Sequence, residues 1–232
     1  MKNKKPLLSV AAFAVAISTS LQVQAANYIY KAQSAVEEGS QILLPDTSNT
    51  WKLHLPNKEG VSLGGKPTVG EDEKSLVFSG RQVAAFSSVD RIPSALTGFQ
   101  CEFSFFLNPE AASIIRNQAV IRHSNWEIRC DTERGTLAVI IWHADAEKKY
   151  TTSQVSIQSG VWQRISVSLK GSVLTVSVNG TPTQFDISLP IDGGRPPGSF
   201  TMGAAANSAE NRAPEAFRPL CGSLADINIT LE

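Results

Sequence analysis

VWQRISVSLKGSVLTVSVNGTPT, residues 161–183, spells out a β-hairpin. Ile165, Val167 and Leu169 alternate with Arg164, Ser166, Ser168 and Lys170, so one face is apolar and the other polar. Gly171-Ser172 makes a turn, and Leu174, Val176 and Val178 then resume the alternation against Thr175 and Ser177. A one-residue slip would turn every apolar side chain outward, so the two arms register in one way. Asn179-Gly180 is a second tight-turn pair because both residue types tolerate positive φ, and TPTQFDI returns as a third strand.

The same alternation recurs on either side. WKLHL sets Trp51, Leu53 and Leu55 against Lys52 and His54, and FQCEFSFFLNP sets Phe99, Cys101, Phe103 and Phe105 against Gln100, Glu102 and Ser104. SLVFSG and QVAAFSS flank Gly80-Arg81, while AVIRHS and NWEIRCD are short strands parted by polar turn residues. TLAVIIWH is apolar throughout, as in a strand covered on both faces. SFTMG and GSLADINITLE are the last strands. Helical periodicity is confined to about a turn at Ala32 to Glu38 and another at Pro109 to Asn117. Many short strands punctuated by Gly, Pro and Asn predict an all-β, antiparallel two-sheet β-sandwich or barrel.

The first residues predict export. Lys2, Lys4 and Lys5 precede an apolar run from Leu7 to Ile17, and small residues at Val23 and Ala25 follow, which is the order of a cleavable signal peptide over 1–25. The run is shorter than the ~20 residues that span a bilayer, and nothing later is long enough, so no stable membrane span is expected after cleavage. The organisation that follows is a leader over 26–49, either an edge strand or a tether, and one domain over 50–232. Cleavage takes the net charge from +0 to about −3, with no basic run, so nucleic acid is a poor partner. A lysine-rich signal points to a bacterial protein that is secreted or periplasmic. Cys101, Cys130 and Cys221 cannot all pair within one chain. Cys101 and Cys130 fall in predicted strands, and an oxidising compartment would permit a disulfide between the sheets.

The order of these pieces resembles the laminin-G-like family of the concanavalin A-like lectin/glucanase superfamily. The hairpin is similar to that family's QWHHVAVTYDGSTLRLYVNGVLV, matching at Trp162, Val167, Gly171, Leu174, Val178, Asn179 and Gly180. FQCEFSFFLNP resembles its FTISAWVKP strand, NWEIRCD with GTLAVII its central pair, and the tail matches at Gly203, Phe217, Gly222, Leu224, Asp226 and Ile229. The resemblance runs from about residue 50 to 232 and implies a concanavalin A-like jelly roll. Within it Trp162 should cap one end of the core, and Gly203 and Gly222 should mark close backbone approaches. It does not imply one activity, since the superfamily holds lectins, adhesion modules, glycanases and lyases.

Catalytic patterns are weak. A glycanase needs two carboxylates about 5–10 Å apart. The nearest set is Glu127, Asp131 and Glu133, of which Glu127 and Asp131 share a strand face while Glu133 falls in a turn. Arg122 and His123 lack the partner motifs of a lyase, and no nucleophile elbow or phosphate loop is present. No cofactor is required. The resemblance implies rim calcium as an option, for which Asp131, Asp145, Asp192 and Asn207 are the loop candidates, with Asp131 and Asp145 preferred. Sugar binding needs an aromatic face beside polar groups. Trp126 and Trp142 on neighbouring central strands, with Arg122, His123, Arg129 and His143 near them in sequence and Tyr150 on a polar loop, are the candidates. The alternative for both tryptophans is the core.

Three functions follow from these features. The preferred one is a secreted, lectin-like, non-catalytic module recognising a carbohydrate or an extracellular protein. The second is a diverged glycoside hydrolase or polysaccharide lyase on the same jelly roll. The third is a structural or assembly protein of the cell envelope.

Overall fold

The computed structural model describes residues 26–32, 36–38, 41–45, 52–55, 61–65, 74–80, 85–87, 97–113, 115–123, 125–142, 150–187, 201–205 and 218–232. Among them the chain is a two-sheet β-sandwich in which every ladder is antiparallel. The first sheet runs β15 (Thr181–Asp186), β14 (Val173–Val178), β13 (Trp162–Lys170), β8 (Gly98–Leu107), β17 (Cys221–Leu231), β6 (Lys74–Ser79), β5 (Val61–Gly65), with β1 (Ala26–Tyr30) also paired to β17. The second runs β12 (Tyr150–Ser156), β11 (Thr136–Trp142), β10 (Trp126–Asp131), β9 (Asn117–Arg122), β16 (Thr201–Met202), β7 (Ala85–Ser87), β4 (Lys52–Leu55), β3 (Gln41–Pro45), β2 (Val36–Glu38).

The hairpin has the expected register: Ile165 faces Val178, Val167 faces Val176 and Leu169 faces Leu174. Asn179 at φ 51° and Gly180 at φ 82° make its outer turn, and the Asn179 side-chain oxygen also accepts from the Arg164 amide at 2.8 Å. The core lies between the sheets. Phe99, Cys101, Phe103 and Phe105 of β8 oppose Trp126, Ile128 and Cys130 of β10 and Leu137, Val139 and Ile141 of β11, all buried. Across the gap the Phe99 and Trp126 rings stack at 4.5 Å and 7°. Gly203 has φ 78° and no room for a Cβ, since the Phe78 ring lies against it.

Of the two options for the leader, the edge strand is found: β1 pairs with β17 from Ala26↔Leu231 to Tyr30↔Ile227 and buries Tyr28 and Tyr30. Three expectations change. The helical turn expected over Ala32 to Glu38 gives way at its end to a strand, Val36–Glu38, because pairing with β3 outweighs a weak local propensity. At Pro109 to Asn117 only a 3₁₀ turn over Ala111–Ser113 forms. Trp162 does not cap the core but sits half-buried on the outer face of its sheet, against Phe106 at 5.6 Å.

The Cys101–Cys130 disulfide is also corrected, since all three cysteines are free and buried. Cys101 and Cys130 face each other's sheets across a core about 10 Å thick, whereas a disulfide needs Cα atoms within about 7 Å. Burial pushes both thiols up, Cys130 to about 12, so neither is a nucleophile at neutral pH. The signal peptide, His143, Asp145, Asp192 and Asn207 lie outside the described residues.

Candidate functional site

Strand alternation sorts β10 into an inner set, Trp126, Ile128 and Cys130, and an outer set, Glu127, Arg129 and Asp131. On β11 the inner set is Leu137, Val139 and Ile141, and the outer set is Ala138, Ile140 and Trp142. The register aligns Arg129 with Ala138 and Ala138 with Gln154 on the outer surface. A bulge in β9 opposite Ile128/Arg129 inserts Val120, so Val120 and Ile121 both reach the core while Asn117 and Ala119 join Arg122 outside. The result is an open cleft of about 260 Å³ on the outer face of the second sheet. It is lined by Asn117, Arg129, Asp131, Ala138, Ile140, Trp142 and Gln154. The apolar run of β11 is thus explained on both sides: one row fills the core and the other floors the cleft.

The electrostatics centre on Glu127, which is fully buried although it points to the outer face. Arg129 donates its Nε to one carboxylate oxygen at 2.9 Å, and Arg218 donates Nη2 to the other at 3.2 Å. Removing Glu127 would leave both guanidinium groups without their counter-charge, and breaking a buried pair in this way typically costs about 3–5 kcal/mol. Arg122 is the cross-strand neighbour of Glu127; its guanidinium lies 5.6 Å from the Trp142 ring centre and donates to the Ala205 carbonyl. Burial lowers the Arg218 pKa; Glu127 opposes this, and the positive charges of Arg129 and Arg122 add to it. Arg218 also holds a left-handed backbone, φ 49°, fixed by the Ala119 amide donating to its carbonyl at 2.9 Å.

At the other end of the cleft Asp131 accepts from Arg116 Nε and Nη2 at 3.1 and 3.0 Å and from the Arg134 amide at 3.1 Å. Burial acts to raise its carboxyl, but the Arg116 hydrogen bonds and the Arg134 contacts prevail and hold it below the usual range. Glu133 pairs with Arg116 at 3.1 Å. Glu127, Asp131 and Glu133 are thus each paired with arginine. Among the described residues no three potential metal ligands cluster.

Of the other candidates, the structure brings Arg129 and Trp142 to the cleft and sets Arg122 beside the Trp142 ring. It removes Trp126 and His123 to the interior, because strand parity places Trp126 opposite Phe99 and the His123 ring beside it at 5.7 Å. The buried His123 Nδ1 accepts from the Asn125 amide at 3.3 Å, and burial lowers its pKa to about 3. Tyr150 is paired with Trp142 in the backbone register; its side chain lies outside the described set. Sequence reasoning missed Asn117, Gln154 and Arg218. Gln154 was findable from the alternation in YTTSQVS; Arg218, 91 residues from Glu127, carried no local signal.

No protein-family model and no curated protein matches the chain. Solved structures do. The chain is similar to the botulinum neurotoxin serotype D binding domain, at 14% identity and TM-score 0.53, covering 82% of this chain and 48% of that one. It is similar to the binding domain of botulinum neurotoxin DC in complex with rat synaptotagmin II, at 11% identity and TM-score 0.52, covering 85% and 48%. It is also similar to Trypanosoma rangeli sialidase in complex with 2,3-difluorosialic acid, at 13% identity and TM-score 0.56, covering 87% and 30%. The chain thus spans half or less of each of these structures. At these identities the likeness is one of fold, the β-sandwich.

Proposed function

We propose that this protein is an exported, non-catalytic binding module of laminin-G-like type that takes a carbohydrate in the cleft on the outer face of its second sheet. The observation that carries the reading is the combination in one open groove of the half-buried Trp142, the apolar floor of Ala138 and Ile140, and the polar Asn117, Arg129 and Gln154. Sugars present C–H faces to aromatic and aliphatic walls and hydroxyls to amides and guanidinium groups, which is what this groove offers. A binding role is favoured over hydrolysis because Glu127, Asp131 and Glu133 are each tied to arginine. Glycoside cleavage instead needs two carboxylates free to reach the glycosidic bond. The sandwich neighbours include binding domains, one of them in complex with a protein, which accords with a module that recognises rather than reacts.

The test is a glycan-array screen of the purified protein, in calcium and again in EDTA, repeated with Trp142→Ala. The reading expects saccharide binding that Trp142→Ala abolishes while the fold survives. Folded protein that binds no saccharide, or binding indifferent to Trp142, would overturn it.

A further inference from the structure

Arg129 lines the cleft, and the charges around its partner Glu127 do not balance among the described residues. Three guanidinium groups, those of Arg122, Arg129 and Arg218, stand near that single carboxylate. Asp131, the other acid on the cleft, offsets nothing there, because together with Glu133 it is matched by Arg116 and Arg134. The excess is held partly out of water: the Arg129 and Arg218 side chains are 21% and 19% exposed. Crowding like charges in that setting raises their energy unless an anion arrives.

The hydrogen-bond donors are unbalanced too. Arg129 uses only its Nε on Glu127, and among the described residues its two terminal nitrogens have no partner. The Arg218 Nε is buried and also has none.

We propose that the saccharide bound in this cleft is acidic. A carboxylate or sulfate group on it would lie against the terminal nitrogens of Arg129, with its ring on the Trp142 side. A guanidinium group fits the multi-oxygen anion and supplies the donors left over from Glu127. Glu127 then acts as a positioning residue: it fixes Arg129 through Nε and leaves the terminal nitrogens for the ligand, while Arg218 on its other oxygen adds positive charge behind them. This rests on the cleft being a saccharide site.

The experiment is an array of matched pairs: uronate, sialylated and sulfated oligosaccharides, each beside its carboxyl-reduced or desulfated parent. The expected result is that acidic members bind at least about tenfold more tightly than their neutral parents, with the preference shrinking as salt is raised. Arg129→Gln should erase the difference between acidic members and their parents, whatever it does to the parents' own affinity, and Lys170→Gln, an exposed cation on the other sheet, should leave the difference unchanged. The carboxylate and sulfate arms show which acid is read. Equal binding of acidic and neutral members overturns this inference and leaves the cleft reading intact. No binding of any member by folded protein overturns both. If Arg129→Gln does not fold, the matched pairs and salt response of the unaltered protein decide.

Discussion

Two tryptophans sixteen positions apart on paired strands should respond in opposite ways to the same substitution. Trp126 is fully buried and stacked on Phe99, so Trp126→Ala removes a large inter-sheet contact and leaves a cavity between two sheets that cannot close on it. Substitutions of that kind cost about 3–5 kcal/mol. For a domain of this size each kcal/mol shifts the melting midpoint by roughly 2–4 °C, so a fall of about 6–20 °C is expected. Trp142 is half-buried on the outer face, where it meets the Arg122 guanidinium, a contact worth about 0.5–1 kcal/mol at exposed sites. Trp142→Ala should therefore cost under about 2 kcal/mol and act on binding instead. Calorimetry and urea titration of both variants, with saccharide binding alongside, measure the contrast. The reverse order of stabilities would refute the reasoning, because it would mean the β10–β11 face assignment is off by one residue. That slip would also drive Glu127 and Arg129 into the core.

Two further outcomes follow from single residues. His123 stays neutral in the folded protein down to about pH 3 but protonates near its ordinary 6.5 when unfolded, so the unfolded state binds the extra proton between those values. Its contribution to stability is complete above about 6.5 and is lost, by up to about 1.4 kcal/mol per pH unit, as pH falls toward 3. Urea midpoints at several pH values should show a steeper acid decline than in His123→Asn, whose Oδ1 can replace Nδ1 as acceptor; parallel declines would refute the account. Gly203→Ala adds a methyl group against the Phe78 ring at a residue whose φ is 78°, so overpacking and backbone strain together should cost about 2–4 kcal/mol. A melting temperature unchanged by this substitution would count against the packing of β16 on β6.

What could be read in the sequence was whatever alternation encodes. The hairpin over 162–178 had both its register and its inner face written in Ile165, Val167, Leu169, Leu174 and Val176. The Asn179-Gly180 turn followed from backbone sterics alone. Alternation fails as a guide where both rows of a strand are apolar. In TLAVIIWH nothing local says that Ala138, Ile140 and Trp142 are the row that meets solvent; that is decided by the register with β10, whose Trp126, Ile128 and Cys130 face the core. The same ambiguity made Trp126 and Trp142 equivalent candidates, although only one lines the cleft. The cysteines misled for a related reason. Their strands were placed correctly, but pairing depends on the separation of the sheets, which no pattern along one strand reports.

The site's electrostatics were still less legible, because they depend on contacts made at long range. Glu127 and Arg129 are i and i+2 on one strand, a spacing that reads as an ordinary solvated ion pair. What changes its character is Arg218, brought from 91 residues away just before the last strand begins. Docking Ala119 onto its carbonyl closes one side of the pair and buries Glu127 completely. A surface ion pair worth at most about 1 kcal/mol thereby becomes a buried hub whose disruption should cost several times that. An apolar residue at 127 would avoid the desolvation, so the distinct consequence of the ion pair is to fix Arg129, whose terminal nitrogens have no partner among the described residues, at the wall of an open cleft.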